Sequence, residues 1–164
     1  MSPIPAGPYL PTSALVVVAW LGQRVPGLAP GMVATKLPRE ISAWADAGFV
    51  QVSVIPTPAE VDVPVRHALA QIDAWGVNLK ADGSGDMKPA VAKATRLAEL
   101  IVRATEDDVQ RAAGGFGRPV EMPANYLAAR VQAAYPSTEP SEVPDDPSGY
   151  GRVTFDLALD WARI

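Results

Sequence analysis

Residues 151–163 read GRVTFDLALDWAR, and their alternation limits the possible folds more than any other stretch. Val153, Phe155, Leu157, Leu159 and Trp161 fall on one side of an extended chain. Arg152, Thr154, Asp156, Ala158, Asp160 and Ala162 fall on the other. Such a period of two marks a strand with one buried face. A lone strand of this kind is not stable; it needs sheet neighbours and a second layer over its apolar side. The rest of the chain has to supply both.

Other stretches read as those neighbours. FVQVSVI at 49–55 alternates in the same way and is stopped by Pro56 and Pro58. VPVRHALAQIDAWGVN at 63–78 is longer. It scatters Arg66, Gln71 and Asp73 over an apolar background, so both of its faces are expected to be partly covered. MVATKLP at 32–38 and YLAARVQAAYPST at 126–138 are further strand candidates, and GGFGRPVEMP reads as a loop or short hairpin. REISAWADAG reads as one helical turn or a loop.

The covering layer is expected to be helical. Thr12 or Ser13 can cap a helix running to about Gln23, where GQRVPG reads as its end and a turn. The three valines 16–18 favour a strand instead, but the cap and the turn decide for helix. Pro89 suits the first turn of a second helix that reaches about Thr105. Val91, Ala94, Leu97, Ala98 and Ile101 form its apolar stripe, with Glu99 and Arg103 paired on the outer face. The order helix, strands, helix, strands predicts an α+β domain over 12–164. It is a largely antiparallel or mixed sheet packed by two main helices, preceded by an extended arm at 1–11 whose prolines prevent helix.

Composition removes several chemistries. The chain has no cysteine and one histidine, His67, so thiolate catalysis, disulfides and multi-histidine metal sites lack their parts. A net charge of −4 argues against wrapping nucleic acid, which needs a basic face. The longest apolar run, ALVVVAWL at 14–21, is well short of the ~20 residues of a membrane-spanning helix. SPIPAGPYLP precedes it in place of the basic lead of a signal peptide, so the chain is expected to stay in the compartment where it is made.

The remaining candidates are weak as chemistry. Asp82, Ser84 and Asp86 in DGSGDMK are spaced like the start of a calcium loop, but Met87 and Lys93 stand where that loop needs glycine and glutamate. GGFGRP does not complete a nucleotide-binding glycine pattern. Asp156 and Asp160 share a strand face about 13 Å apart, too far for a glycosidase pair, although Asp73 can approach either across the sheet. His67 reads as a strand residue satisfied by a local hydrogen bond. Trp20, Trp44, Trp75 and Trp161 read as core and interface anchors. No catalytic residue, cofactor or metal is expected.

Three projections stand out instead. They are the N-terminal arm with Pro8 and Tyr9, and the 78–88 loop with Lys80, Asp82, Asp86 and Lys88. The third is the run at 136–150. It carries Glu139, Glu142, Asp145 and Asp146 without any basic residue, and Pro136, Pro140, Pro144 and Pro147 stiffen it. Strand candidates flank it, so a long β-hairpin arm with this acidic loop at its tip is expected.

Four stretches, in order, carry a resemblance. SALVVVAWLGQRVPG, VPVRHALAQIDAWGVN, AVAKATRLAELIVRAT and EPSEVPDDPSGYGRVTFDLALDWARI together resemble the tail terminator (tail completion) proteins of long non-contractile-tailed phages, of the actinobacteriophage type. The chain departs from that pattern at DMKPA, where an aromatic is usual, and at Ala74, where a larger residue is. The resemblance implies a structural virion protein rather than an enzyme. It implies a hexameric ring at the head-proximal end of the tail tube that stops polymerisation and joins tail to head. The partners would be other copies of the chain, the major tail tube protein and the head–tail connector. DNA would pass through the ring without specific binding, and no membrane is involved. A head-completion or stopper protein of the connector is the alternative. The three projections are the expected interfaces.

Overall fold

The computed structural model describes residues 3, 7–58, 64–80, 82, 88–106 and 116–164. The two helices are α1 (Ser13–Arg24) and α2 (Val91–Glu106). The strands are β1 (Val33–Ala34), β2 (Phe49–Ile55), β3 (Val65–Asn78), β4 (Lys88–Pro89), β5 (Pro119–Val120), β6 (Ala129–Pro136), β7 (Ser141–Glu142) and β8 (Gly151–Arg163). The fold is α+β, as the patterning predicts.

β8 occupies the predicted span, and its burial alternates as its sequence does. Its position is central: the strand order is β1-β2-β3-β8-β6-β5. β3 pairs with β8 antiparallel from Val65 opposite Ala162 to Gly76 opposite Gly151. β2 flanks β3 antiparallel, and β6 flanks β8 antiparallel with a bulge between Val131 and Ala133. β1 runs parallel to β2 and makes the sheet mixed.

Both helices lie on the face bearing Val153, Phe155, Leu157, Leu159 and Trp161. Thr12 caps α1 by accepting a hydrogen bond from the Leu15 amide at 3.3 Å. Val16, Val17, Trp20 and Leu21 of α1 meet the Ala94, Leu97, Ala98 and Ile101 stripe of α2 and the sheet in one core. α2 starts two residues later than the proline suggested. Pro89 pairs with Val77 in β4, and the Ala90 carbonyl accepts the first helical bonds, from Lys93 and Ala94. The helix begins there because its end rests directly on backbone. Gly76 and Gly151 face each other across β3 and β8, and a Cβ on Gly76 would lie 2.3 Å from the Ala90 carbonyl oxygen.

A second, smaller cluster lies on the opposite face. Phe49 and Trp75 are cross-strand partners one step out of phase with core-facing Val50 and Ala74, so they point the other way. The segment after β1 crosses over them and brings Leu37, Ile41 and Trp44 with it. This shortens the expected strand at 32–38 to two residues. One 3-10 turn, Ile41–Ala43, is all the helix in REISAWADAG. Trp20, Trp44, Trp75 and Trp161 are all buried, as expected of core anchors.

The N-terminal arm does not project at Tyr9. The Tyr9 amide donates to the Asn125 carbonyl at 2.6 Å, and the Leu127 amide donates to the Tyr9 carbonyl at 2.7 Å. The Tyr9 and Tyr126 rings lie 5.9 Å apart beside this bridge.

Candidate functional site

The acidic run is the feature the sequence singles out, and the structure folds it closer to the sheet than a loop tip. β6 ends at Pro136, but the chain stays beside β8. The Ser137 amide donates to the Asp156 carbonyl, and the Asp156 amide donates to the Thr138 hydroxyl, both at 2.8 Å. Pairing resumes in β7, where Ser141 faces Thr154 and Glu142 faces Val153. The hairpin therefore forms, but one leg is the acidic run itself, and the tip is reduced to residues 143–150. The prolines break the leg into short paired pieces without keeping it off the sheet.

A buried ion cluster ties down the tip. Asp73, 4% exposed, accepts from Arg152 Nε at 2.9 Å and from Gln71 Nε2 at 3.0 Å. Arg152 Nη1 donates to Asp146 at 3.1 Å, and the guanidinium lies 5.2 Å over the Trp75 ring. Ser148 donates to Asp146 through both its hydroxyl and its amide. Tyr150 sets its ring edge-on to Trp44 and Trp75. Burial opposes ionisation of Asp146, but the Ser148 and Arg152 hydrogen bonds together outweigh it and hold its carboxyl below the usual carboxylate range. Burial likewise opposes charge on Arg152, and Asp73 and Asp146 outweigh it and raise its pKa.

This arrangement sets a pH dependence. The Asp146 value is depressed on folding, so its contribution is complete above the ordinary aspartate pKa of ~3.9 and fades as pH falls through the lower folded value. Acidification below about pH 4 is expected to loosen residues 143–150 before the core. Hydrogen exchange at the Gly149 and Tyr150 amides measures this, and Asp146→Asn is expected to remove the acid-dependent step.

The predicted interface residues divide accordingly. Glu139, Glu142 and Asp145 are exposed, while Asp146 turns inward to Arg152, so it is spent on holding the tip and does not present a charge. Pro8, Tyr9, Lys80 and Asp82 are exposed. Asp86 lies outside the described residues, as does the side chain of Lys88. Ser84 of the candidate calcium loop also falls outside them.

The carboxylates considered for catalysis do not converge. Asp73 faces Thr154 rather than Asp156 or Asp160, and its oxygens are taken by Arg152 and Gln71. Asp160 instead stands opposite His67 and is hydrogen-bonded to its Nδ1. Among the described residues no cluster of three metal-ligating side chains occurs.

No protein-family profile matches the chain, and no curated protein matches it. Its surface is therefore the available guide. Among the described residues the outer face of the sheet is covered at one end, by the Trp44 cluster and the Arg152 network. Beyond them Ile55, Leu69 and Ala158 lie side by side, half-buried, with Tyr135 of β6 next in the row and 57% exposed. Ser53, opposite Gln71, is exposed in the adjoining row, and the His67–Asp160 pair borders the row on its other side. Sequence reasoning missed Arg152 as the organiser of the site. Its partner Asp73 is 79 residues away, and nothing in local spacing connects them. No helix among the described residues is long and apolar enough to cross a membrane.

Proposed function

We propose that this chain is a structural assembly protein of the long-tailed phage type, a tail terminator. It would close the head-proximal end of the tail tube as a ring, end tube growth and join the tail to the head connector in the virion. The observation that carries the reading is the row Ile55, Leu69, Ala158 and Tyr135, left uncovered by the described residues, on a sheet whose other face carries the core. A contiguous row of half-exposed apolar groups on a rigid sheet suits protein contact. The ordered resemblance of four segments gives that contact its context. Exposed Glu139, Glu142 and Asp145 suit a ring through which DNA slides, because like charges keep phosphate from adhering.

Purified protein is expected to form rings, either alone or on isolated tail tubes, and tails made without it are expected to vary in length. Electron microscopy of such tails is the direct measurement. Uniform tails together with a chain that stays monomeric on tubes overturn the reading. Binding to the connector but not to tubes favours the stopper protein instead. Asp156→Asn and Asp160→Asn are expected to leave assembly unchanged, and loss of particles in either variant without loss of folding favours an enzyme.

A further inference from the structure

The sheet treats its edges differently. At β5, side chains from α1 cover the backbone. Gln23 donates to the Glu121 carbonyl and accepts from the Glu121 amide, both at 2.8 Å, and Arg24 donates to the Pro119 carbonyl at 2.5 Å. Groups occupied in this way are no longer open to a further strand. At β2 the cover ends early. β1 pairs only with Val50 and Gln51, and the Gln51 side chain reaches the Thr35 carbonyl at 3.4 Å. Among the described residues no strand pairs with the outer side of 52–55. This stretch reads VSVI, without the charge, proline or glycine that usually blunts a sheet edge.

The end of that edge opens on a cleft of about 400 Å3 lined by Ser13, Val54, Ile55, Thr57, Arg66 and His67, among others. Among the described residues that line it there is no carboxylate. Arg66 is exposed, sits 5.8 Å over the Trp161 ring, and is ion-paired with no carboxylate of the described residues. Among the described residues, a chain of net charge −4 thus presents a guanidinium without a carboxylate partner next to an unpaired strand edge.

We propose that this edge and cleft receive a second copy of the same chain. The neighbour adds the outer side of its β7 segment to 52–55 and brings Glu139 and Glu142 to Arg66. The proposal rests on the ring reading and names its joint. Charge complementarity selects the occupant: Glu139 and Glu142 are exposed, and no Lys or Arg lies between 131 and 151 to compete. Geometry agrees. Among the described residues β7 pairs with β8 alone, so its far side is open, and it lies across the sheet from the β2 edge. Within one copy β7 runs antiparallel to β2, so a neighbour that continues the sheet meets it antiparallel. Donor and acceptor are different patches of one chain, the arrangement that closes into a ring by rotation.

The test reads assembly by mass photometry over a concentration series, after thermal melts show each variant folded. Arg66→Glu is expected to raise the concentration for half-assembly about tenfold or more, and Glu139→Lys with Glu142→Lys to do the same. Combining all three in one chain is expected to restore assembly to within about threefold of the parent, which a folding defect would not. Because the chain has no cysteine, Ser53→Cys and Ser141→Cys chains can also be mixed and oxidised. A mixed disulfide dimer, absent from either variant alone, is the expected product. If rings form normally in both charge reversals, or the mixture gives no mixed dimer, this joint is wrong and the ring reading survives. If the parent chain forms no ring alone or on tubes and tails made without it are uniform, both fall.

Discussion

Gly76→Ala is expected to destabilise the fold by about 3 kcal/mol or more. The added Cβ would meet the Ala90 carbonyl oxygen at 2.3 Å and Lys93 Cβ at 3.0 Å. Neither is the free end of a flexible side chain. To relieve the clash, α2 must lift from the sheet at its first turn. That movement also strains the Lys93 ammonium, which donates to the Ala45 carbonyl at 2.9 Å and the Val77 carbonyl at 3.3 Å. For a domain of this size the loss corresponds to roughly 6–12 °C in Tm. Gly151→Ala tests the other half of the seat, where the nearest atoms are the Ala90 carbonyl carbon and the Val91 amide nitrogen, both at 2.8 Å. Gly117→Ala is the control. A Cβ there meets nothing within 4 Å, and only its positive φ of 76° opposes the change. Urea melts in which Gly76→Ala matches the parent chain would show that α2 does not rest on the strands as described.

Arg152→Met is expected to cost about 3–5 kcal/mol, because it leaves the Asp73 carboxylate buried without its cation. Gln71 remains as a single neutral donor, which is too little for an ionised group 4% exposed. The same change frees Asp146 and unseats Tyr150 from Trp44 and Trp75, so near-ultraviolet dichroism should fall with stability. Joining Asp73→Leu to Arg152→Met is expected to recover most of the loss, since removing both charges leaves nothing unpaired. A double variant as unstable as the sum of the two single ones would mean the pair is not coupled.

Much of the fold was legible because the informative signals are local. Alternation in 151–163 and 49–55 reports one buried face for each strand, and the α2 stripe reports its helix. Thr12 marked the start of α1 through a contact three residues long. Errors arose where long-range contacts overrode local preference. Pro89 is a good first helical residue, but pairing with Val77 placed it in a strand. The 32–38 stretch is strand-like, but Trp44 and Leu37 find burial on the opposite face and pull the chain off the edge. The acidic run reads as a solvated loop because its composition shows neither the Asp156 and Thr138 hydrogen bonds nor the inward turn of Asp146. Its other three carboxylates, Glu139, Glu142 and Asp145, lie exposed. The 52–55 edge, which no described strand covers, was not legible, because an edge is defined by the strand that does not lie beside it.

The central position of β8 has a consequence for synthesis. It is paired on one side with β3 and on the other with β6 and β7, and its apolar side forms the floor of the core. A nascent chain halted before residue 151 therefore has two half-sheets with an open gap between them. The side of residues 65–78 that faces away from β2 must stay unpaired until residues 151–163 arrive to zip along it. Closing contacts that distant in sequence is slow and leaves strand edges exposed in the interval. Completion of the sheet thus waits on residues 151–163, because no chain halted before them holds a finished surface.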